Sequence, residues 1–439
     1  MMNKLENFVL PNGVEVVVCP MKGIRMAVMY VGIRGGSSNE RVGEVGTLHF
    51  LEHVMLEGTE KFPTTSEMDA FSEEYAIRYD GSTSNLHTWF TYSFPDIELG
   101  EAIDFAFEIV ARPRISRDSI ERNRAVILTE QKNYWDDPEN DFYREYRGFV
   151  LGEKHVYNRR GFGERDVVEA MTRKKLVSTY SKYYNPKNLK VSLVGSVDRG
   201  TTDKLLAETF GNWERGGNEI CYVKPKNDYA AKLYRYEEGG RKQVSMYIGF
   251  PIPGYMELTN EERFELLFFN DLFGDIGSSV LFRRFRDELA MVYTIGSRRV
   301  YWPYTGMIEV RVKVDSDNLV KFLDEFVSVV KRLRKNGFAK RDFERVRAFI
   351  ERMQLIRYSN PYGMCEDYMF RMLDKQELLT IDRMIEYTRD TRYDKVEEWI
   401  GKVLDFSKMS VGIMGDRKVV YDPRIEEILK KVGIRYTTN

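Results

Sequence analysis

Apolar positions along this chain change period several times. Val28–Ile33, Val191–Gly195 and Val411–Gly415 are short, dense apolar runs, the habit of buried strands. Ile97–Ala111, Ser116–Trp135, Asp317–Asn336 and Lys340–Tyr358 instead carry apolar residues every three or four positions. Each predicts a long amphipathic helix, and Gly337 is a good stop for the third. In Ser116–Trp135 the apolar stripe is read as Ile120, Val126 and Ile127, with Glu130 on or beside it.

The order of these patterns repeats. Val28-Met29-Tyr30-Val31-Gly32-Ile33 resembles Ser245-Met246-Tyr247-Ile248-Gly249-Phe250, 217 positions later. Val191–Gly195 returns as Val411–Gly415, 220 positions later, and the helix pair recurs between the markers. This predicts two copies of one α/β unit of ~215 residues. The expected boundaries are 1–215 for an N-terminal lobe, 216–230 for a linker where Gly216-Gly217 and Pro225 break the periodicity, and 231–439 for a homologous C-terminal lobe. Several helices follow one another within each copy. That favours an α+β fold over a doubly wound one: two duplicated lobes, each a mostly antiparallel sheet with helices packed on one face.

Composition narrows the class. Of 439 residues 43% are hydrophobic and 31% charged, as in ordinary globular proteins. The 67 basic and 68 acidic residues give a net charge of −1, which points to neither nucleic acid nor an anionic membrane surface. No apolar run reaches the ~18 residues of a membrane span. Met1–Gly13 lacks the apolar core of a signal peptide, so a cytoplasmic location is expected. Cys19, Cys221 and Cys365 are far apart and form no C-x-x-C pair, which favours reduced, structural cysteines.

The chain has only four histidines, and two stand in His49-Phe50-Leu51-Glu52-His53. The flanks place this string on a helix that begins after Gly46 and ends by Gly58. On a helix, positions 49 and 53 lie ~40° apart and one turn up, so two imidazoles can converge on one ion. Glu52, three residues after His49, reaches a metal-bound water without ligating the metal. This is the H-x-x-E-H order of the inverted zincins. A solvated pair of surface histidines is the bland alternative, disfavoured because Leu51, Val54 and Met55 make the helix partly buried. A catalytic zinc site needs a third protein ligand. Periodicity leaves Glu130 open: either that ligand, or an edge-of-stripe glutamate paired with a lysine or arginine.

Further strings carry a resemblance. Glu130 follows His53 by 77 positions, within Ala125-Val126-Ile127-Leu128-Thr129-Glu130. Thr83-Ser84-Asn85-Leu86-His87-Thr88, Tyr184-Asn185-Pro186-Lys187-Asn188 and the Arg286/Tyr293 pair complete the set. Together these resemble the insulinase/pitrilysin family of metallopeptidases, in particular its short, mitochondrial-processing-peptidase-like members, over nearly the whole chain. The resemblance implies that fold and a zinc-dependent endopeptidase acting on peptides or unfolded polypeptides. It implies one Zn2+ per chain, held by His49, His53 and Glu130, with Glu52 as general base. It implies a substrate strand added at the sheet edge near Asp80, Gly81 and Ser82, with Arg286 and Tyr293 facing the metal across a chamber. Without it, Arg286 reads as a solvated charge and Tyr293 as a core aromatic.

Two positions depart from the family pattern. Asn123 replaces a glutamate behind the ligands, and Asp80-Gly81 replaces an asparagine–alanine pair. The offset of 217 places Leu266, Phe269 and Asn270 opposite His49, Glu52 and His53, so the second lobe is expected to hold no zinc. Shorter members are dimers, which makes a homodimer closing a chamber the expected partner arrangement. Two other readings stay open: a non-catalytic assembly or peptide-binding subunit, whose signature would be lost ligands, and an active subunit needing a zinc-free partner.

Overall fold

The computed structural model describes residues 5–432 and 436–439. Contacts gather the chain into two compact units. The first takes residues up to Tyr134, Arg159–Val223 and Leu355–Thr380; the second takes Trp135–Asn158, Lys224–Gln354 and Ile381 onward. The units are therefore not contiguous stretches of sequence.

The first unit is built on strands β1 (Glu6–Val9), β2 (Glu15–Pro20), β3 (Met26–Arg34), β4 (Arg78–Thr83), β5 (His87–Pro95) and β6 (Leu189–Gly195). They lie in the order β1-β2-β6-β3-β5-β4. Only the β2–β6 pairing is parallel. Alternate residues of β3, Ala27 to Ile33, enter a core shared with the helices Thr47–Met55 and Leu99–Ala111. The other face of β3 is covered too, by the helix Pro361–Leu373, which packs on β3 and β6. Gly32 makes room for it: a Cβ there would stand 3.1 Å from Met369 Sδ. With both faces covered, β3 is buried over all but its first residue, which is why its sequence runs apolar without alternation.

The second unit repeats the plan. Its strands are β7 (Lys232–Glu237), β8 (Gln243–Ile252), β9 (Val292–Trp302), β10 (Thr305–Asp315), β11 (Ser410–Gly415) and β12 (Thr437–Thr438), ordered β12-β7-β11-β8-β10-β9. Matching β2, β6, β3, β5 and β4 with β7, β11, β8, β10 and β9 gives one topology twice. β4 and β9 are the corresponding free edges. One face packs Ile308, Val310, Val312 and Val314 against the helices Asn260–Asn270 and Leu319–Asn336. On the other face the helix Pro138–Leu151 brings Tyr146 over Gly412, where a Cβ would meet its ring at 2.5 Å.

The expected long helices form as Leu99–Ala111, Arg117–Trp135, Leu319–Asn336 and Lys340–Arg357. The fold is α+β, as the element order predicted. One detail of the stripe differs. In Arg117–Trp135 the buried line is Ile120, Asn123, Ile127 and Gln131, while Val126 is 45% exposed. Residue 126 stands ~100° from residue 127 around the helix, off the face that the core covers. No helix among the described residues is long and apolar enough to cross a membrane.

Candidate metal centre

The helix carrying His49, Glu52 and His53 runs from Thr47 to Met55. Its start is a left-handed Gly46, φ 102°, in close contact with Gly163, φ 80°. A Cβ on Gly46 would stand 2.4 Å from the Gly163 Cα, so neither position admits a side chain. Gly46 cannot cap the helix, and Glu40 does so from outside. Its Oε2 accepts the Gly46 N–H at 2.7 Å and its Oε1 the Leu48 N–H at 2.6 Å.

His49 Nε2 and His53 Nε2 are 3.3 Å apart. Glu130 Oε2 lies 3.9 Å from the first and 3.5 Å from the second. A triangle with these sides has a circumscribed radius of ~2.1 Å, against zinc bond lengths of ~2.0–2.2 Å to imidazole nitrogen and carboxylate oxygen. The Glu130 Oε2 is buried and finds no hydrogen-bond donor among the described residues. Two imidazoles and a carboxylate with an orphaned oxygen fit a zinc ion in donor type and spacing. Burial, helped by neighbouring His53, holds the His49 imidazole down to about 3, so it is neutral, as a ligand must be.

Glu52 is 5% exposed. Its Oε2 accepts the Thr83 hydroxyl at 2.8 Å, and burial pushes its carboxyl up to about 7. Gly81 on the edge strand makes space for it: a Cβ there would lie 2.9 Å from Glu52 Oε1. His49, Glu52, His53, Asp80, Gly81, Ser82 and Glu130 line one cavity of about 500 Å³. The polar groups thus open onto the free edge of the first sheet.

The remaining residues singled out in the sequence make the following contacts. Asn123 is buried, and its amide donates to the Ser119 carbonyl of its own helix at 2.9 Å. Arg286 and Tyr293 belong to the second unit. The guanidinium of Arg286 stacks on the rings of Phe282 and Tyr293 at 4.7 and 5.5 Å. Tyr293 is 82% exposed and so is no core residue. His155 is a buried structural contact: its Nδ1 accepts the Tyr157 N–H, and its Nε2 meets Asn227 Oδ1 at 3.2 Å.

The structure adds residues that motif reading passed over. Phe162 packs edge-on against His49 at 5.3 Å between ring centroids and lines the cavity. Gln131, next to Glu130, holds the loop bearing Phe162 by donating to the Phe162 and Gly163 carbonyls at 2.9 and 3.2 Å. His49 Nδ1 has no acceptor among the described residues. Packing by Phe162 helps to set the ring's orientation. The glycines flanking Phe162 were the available signal, since a Gly-Phe-Gly string marks close backbone approach.

Comparison with known proteins settles the lineage. The model for insulinase, peptidase family M16, matches residues 16–147, and the model for the peptidase M16 inactive domain matches residues 170–349. The chain belongs to the insulinase (M16) family. A relative named as an uncharacterised zinc protease, from Mycobacterium leprae, is 27% identical over 305 residues, 69% of this chain and 67% of that protein. A protease from Helicobacter pylori has a similar fold, with a TM-score of 0.84 at 17% identity over 94% of this chain and 100% of that one. The first half of the periplasmic protease PqqL from Escherichia coli has a TM-score of 0.83 at 17% identity over 100% of this chain and 98% of that one. The M16 model named for an inactive domain falls mainly on the second half. There Leu266, Phe269 and Asn270 are each 0% exposed and enclosed by core.

Proposed function

We propose that this chain is a zinc-dependent endopeptidase that cleaves peptides or unfolded polypeptides. His49, His53 and Glu130 hold one zinc ion per chain, and Glu52 is the general base. The observation that carries the reading is the ring of three donor atoms, 3.3 to 3.9 Å apart, beside a buried glutamate and a free strand edge.

A zinc ion bound there supplies Lewis acidity, polarising a carbonyl and acidifying water. The residues of the chain do the rest. β4 offers backbone groups on its free edge, where an extended peptide adds as a strand at Asp80, Gly81 and Ser82 whatever its sequence, displacing the Asp80 carboxylate that accepts the Gly81 N–H at 2.9 Å. Gly81 brings that strand against Glu52. Thr83 fixes one carboxylate oxygen of Glu52 and leaves the other to take a proton from water and return it to the leaving amine. Phe162 and Leu56 give the cavity an apolar wall. Arg286 and Tyr293 are assigned as substrate donors, and Asn123, buried on the helix that carries Glu130, as the residue behind the ligands. A homodimer and a cytoplasmic location complete the proposal; size measurement and cell fractionation test these two.

The deciding experiment is metal analysis together with a peptide-library digest, with and without chelator. Glu52→Gln is expected to abolish cleavage and keep zinc, whereas Glu130→Gln loses both. Unchanged zinc occupancy in Glu130→Gln removes it as a ligand. Tight zinc binding with no cleavage of any peptide overturns the enzyme reading and favours a non-catalytic subunit.

A further inference from the structure

One face of the second sheet carries cations that the chemistry above leaves unused. On β10, Glu309, Arg311 and Lys313 alternate with the core residues Ile308, Val310 and Val312, so they share the face away from the main core. The side chain of Glu309 is 2% exposed, while those of Arg298 and Arg311 remain 43% and 40% exposed. Glu309 Oε1 accepts Arg298 Nε at 2.9 Å and Arg311 Nε at 2.8 Å. Tyr143 accepts Arg298 Nη2 at 2.9 Å. The guanidiniums of Arg311, Arg298 and Arg147 gather on the Tyr143 ring at 4.8, 5.5 and 5.8 Å from its centroid.

One buried carboxylate thus anchors two arginines by their inner edges, and a third cation shares the ring. Positive charge is left in excess on a half-exposed surface. The outer Nη groups of Arg311 donate to no described residue. Gly296 pairs with Arg311 across the ladder and contributes no side chain to cover it. Arg311 and Lys313, with Tyr247 and Tyr293, wall a groove of about 420 Å³; Glu139 also lines it but is neutralised by Lys313 at 3.0 Å and Arg241 at 2.8 Å, which leaves Arg311 as the cation open to a ligand. A planar guanidinium with a free edge is shaped for a carboxylate, which it binds through two parallel N–H groups.

We propose that Arg311, held beside Arg298 by Glu309, forms a subsite for a carboxylate of the bound peptide. The carboxylate is either the peptide C-terminus or an aspartate or glutamate side chain. That the ligand is a peptide rests on the proposed function; the anion-binding geometry stands on the second unit alone. Glu309 acts as the positioning residue, holding both guanidiniums in place at the cost of one unit of their charge.

The test uses full-length protein carrying Glu52→Gln, so that peptide is not consumed. One short unstructured peptide, fluorescein-labelled at its N-terminus, is made in four forms: C-terminal acid or amide, each with glutamates or with glutamines. Anisotropy titration at low salt reads the dissociation constants. The fully carboxylate-bearing form should bind roughly tenfold tighter than the fully neutral one. Adding Arg311→Gln should bring that ratio to about one, and Glu309→Gln, which keeps both arginines and removes the opposing charge, should keep or raise it. Loss of preference on amidation alone assigns the C-terminus; loss on glutamine replacement alone assigns acidic side chains. The proposal is overturned by a ratio of one in the parent, by a ratio that survives Arg311→Gln, or by Glu309→Gln losing it as Arg311→Gln does. Carboxylate-dependent binding by a wild-type chain that cleaves nothing would sink the peptidase reading alone. Cleavage with no carboxylate preference would sink this inference alone.

Discussion

Glu40→Ala should loosen the helix that presents both histidines. That helix begins at Gly46, which has no side chain to satisfy the first free N–H groups. Glu40, 5% exposed, takes the Gly46 and Leu48 donors at 2.7 and 2.6 Å. Truncation strands two buried donors at ~1–3 kcal/mol each. The alanine leaves a hole that admits water, which recovers part of that loss, so ~3 kcal/mol is the expected cost. Glu40→Gln keeps one carbonyl oxygen and can satisfy one donor, so about half of the cost remains. His49 directly follows Leu48, so fraying of this turn moves one imidazole relative to the other, and zinc affinity should fall in the same order. The assays are urea unfolding of the metal-free protein, followed by its first transition, and zinc titration against a chromophoric chelator. Stability and affinity should both rank wild type, then Gln, then Ala. An alanine variant within ~0.5 kcal/mol of wild type, with unchanged zinc affinity, would refute the anchoring role.

Three further outcomes are expected. Asp271 is 4% exposed, and burial raises its carboxyl from 3.8 to about 7, so the folded state holds this proton more tightly than the unfolded chain; stability then falls as pH rises through that window. Asp271→Asn should raise the melting temperature at alkaline pH and change it little at or below pH 3.8; equal effects at both would show the group is not strained by ionisation. Gly412→Ala places a methyl 2.5 Å from the ring of fully buried Tyr146 and should cost ~1–3 kcal/mol by thermal melting, whereas a neutral result would mean that the helix Pro138–Leu151 can retreat. Chelation should lower the melting temperature and added zinc restore it, by ~2.7 kcal/mol at a hundredfold excess over Kd; a chelator-insensitive melt argues against a metal in the folded state.

The sequence carried the architecture well because the signals were local. Two apolar periods, a repeated order and glycine breaks sufficed to predict two α+β lobes, and the observed strand orders repeat accordingly. The H-x-x-E-H string was equally legible, since helix geometry converts its spacing into one convergent face. Glu130 was not legible in the same way. Periodicity offered only an apolar stripe, and that stripe was misplaced at Val126; the ligand reading came from the spacing to His53 that the family resemblance carries, because the nearness of Glu130 to the imidazoles is tertiary. Glu40 and Phe162 were invisible for related reasons. Glu40 caps a helix from six residues before Gly46, and Phe162 looks like any apolar loop residue until its ring meets His49. The regrouping of 135–158 and 355–380 left no local mark, because an amphipathic helix does not record which sheet it will cover.

The duplication gives an internal comparison for the energetics of the site. In the second unit the helix Asn260–Asn270 occupies the place of the His49 helix, and its Leu266, Phe269 and Asn270 are wholly buried. Both ends of the Asn270 amide are hydrogen-bonded there, its oxygen accepting from Ser297 at 2.9 Å and its nitrogen donating to Asp275 at 2.9 Å. At these three positions apolar or hydrogen-bonded side chains avoid the desolvation cost of buried charge, a cost that the neighbouring Asp271 bears instead. The first unit does the opposite on the same topology. It buries His49 and Glu52, leaves His49 Nδ1 and Glu130 Oε2 without hydrogen bonds among the described residues, and keeps Gly81 where a methyl would crowd Glu52. An unpaired buried polar group costs ~1–3 kcal/mol, so this arrangement is less stable than its own duplicate unless a cation compensates for it. The fold does not demand the histidines, because the second unit folds without them. A metal ion bound between them would turn their convergence from a liability into a stabilising contact.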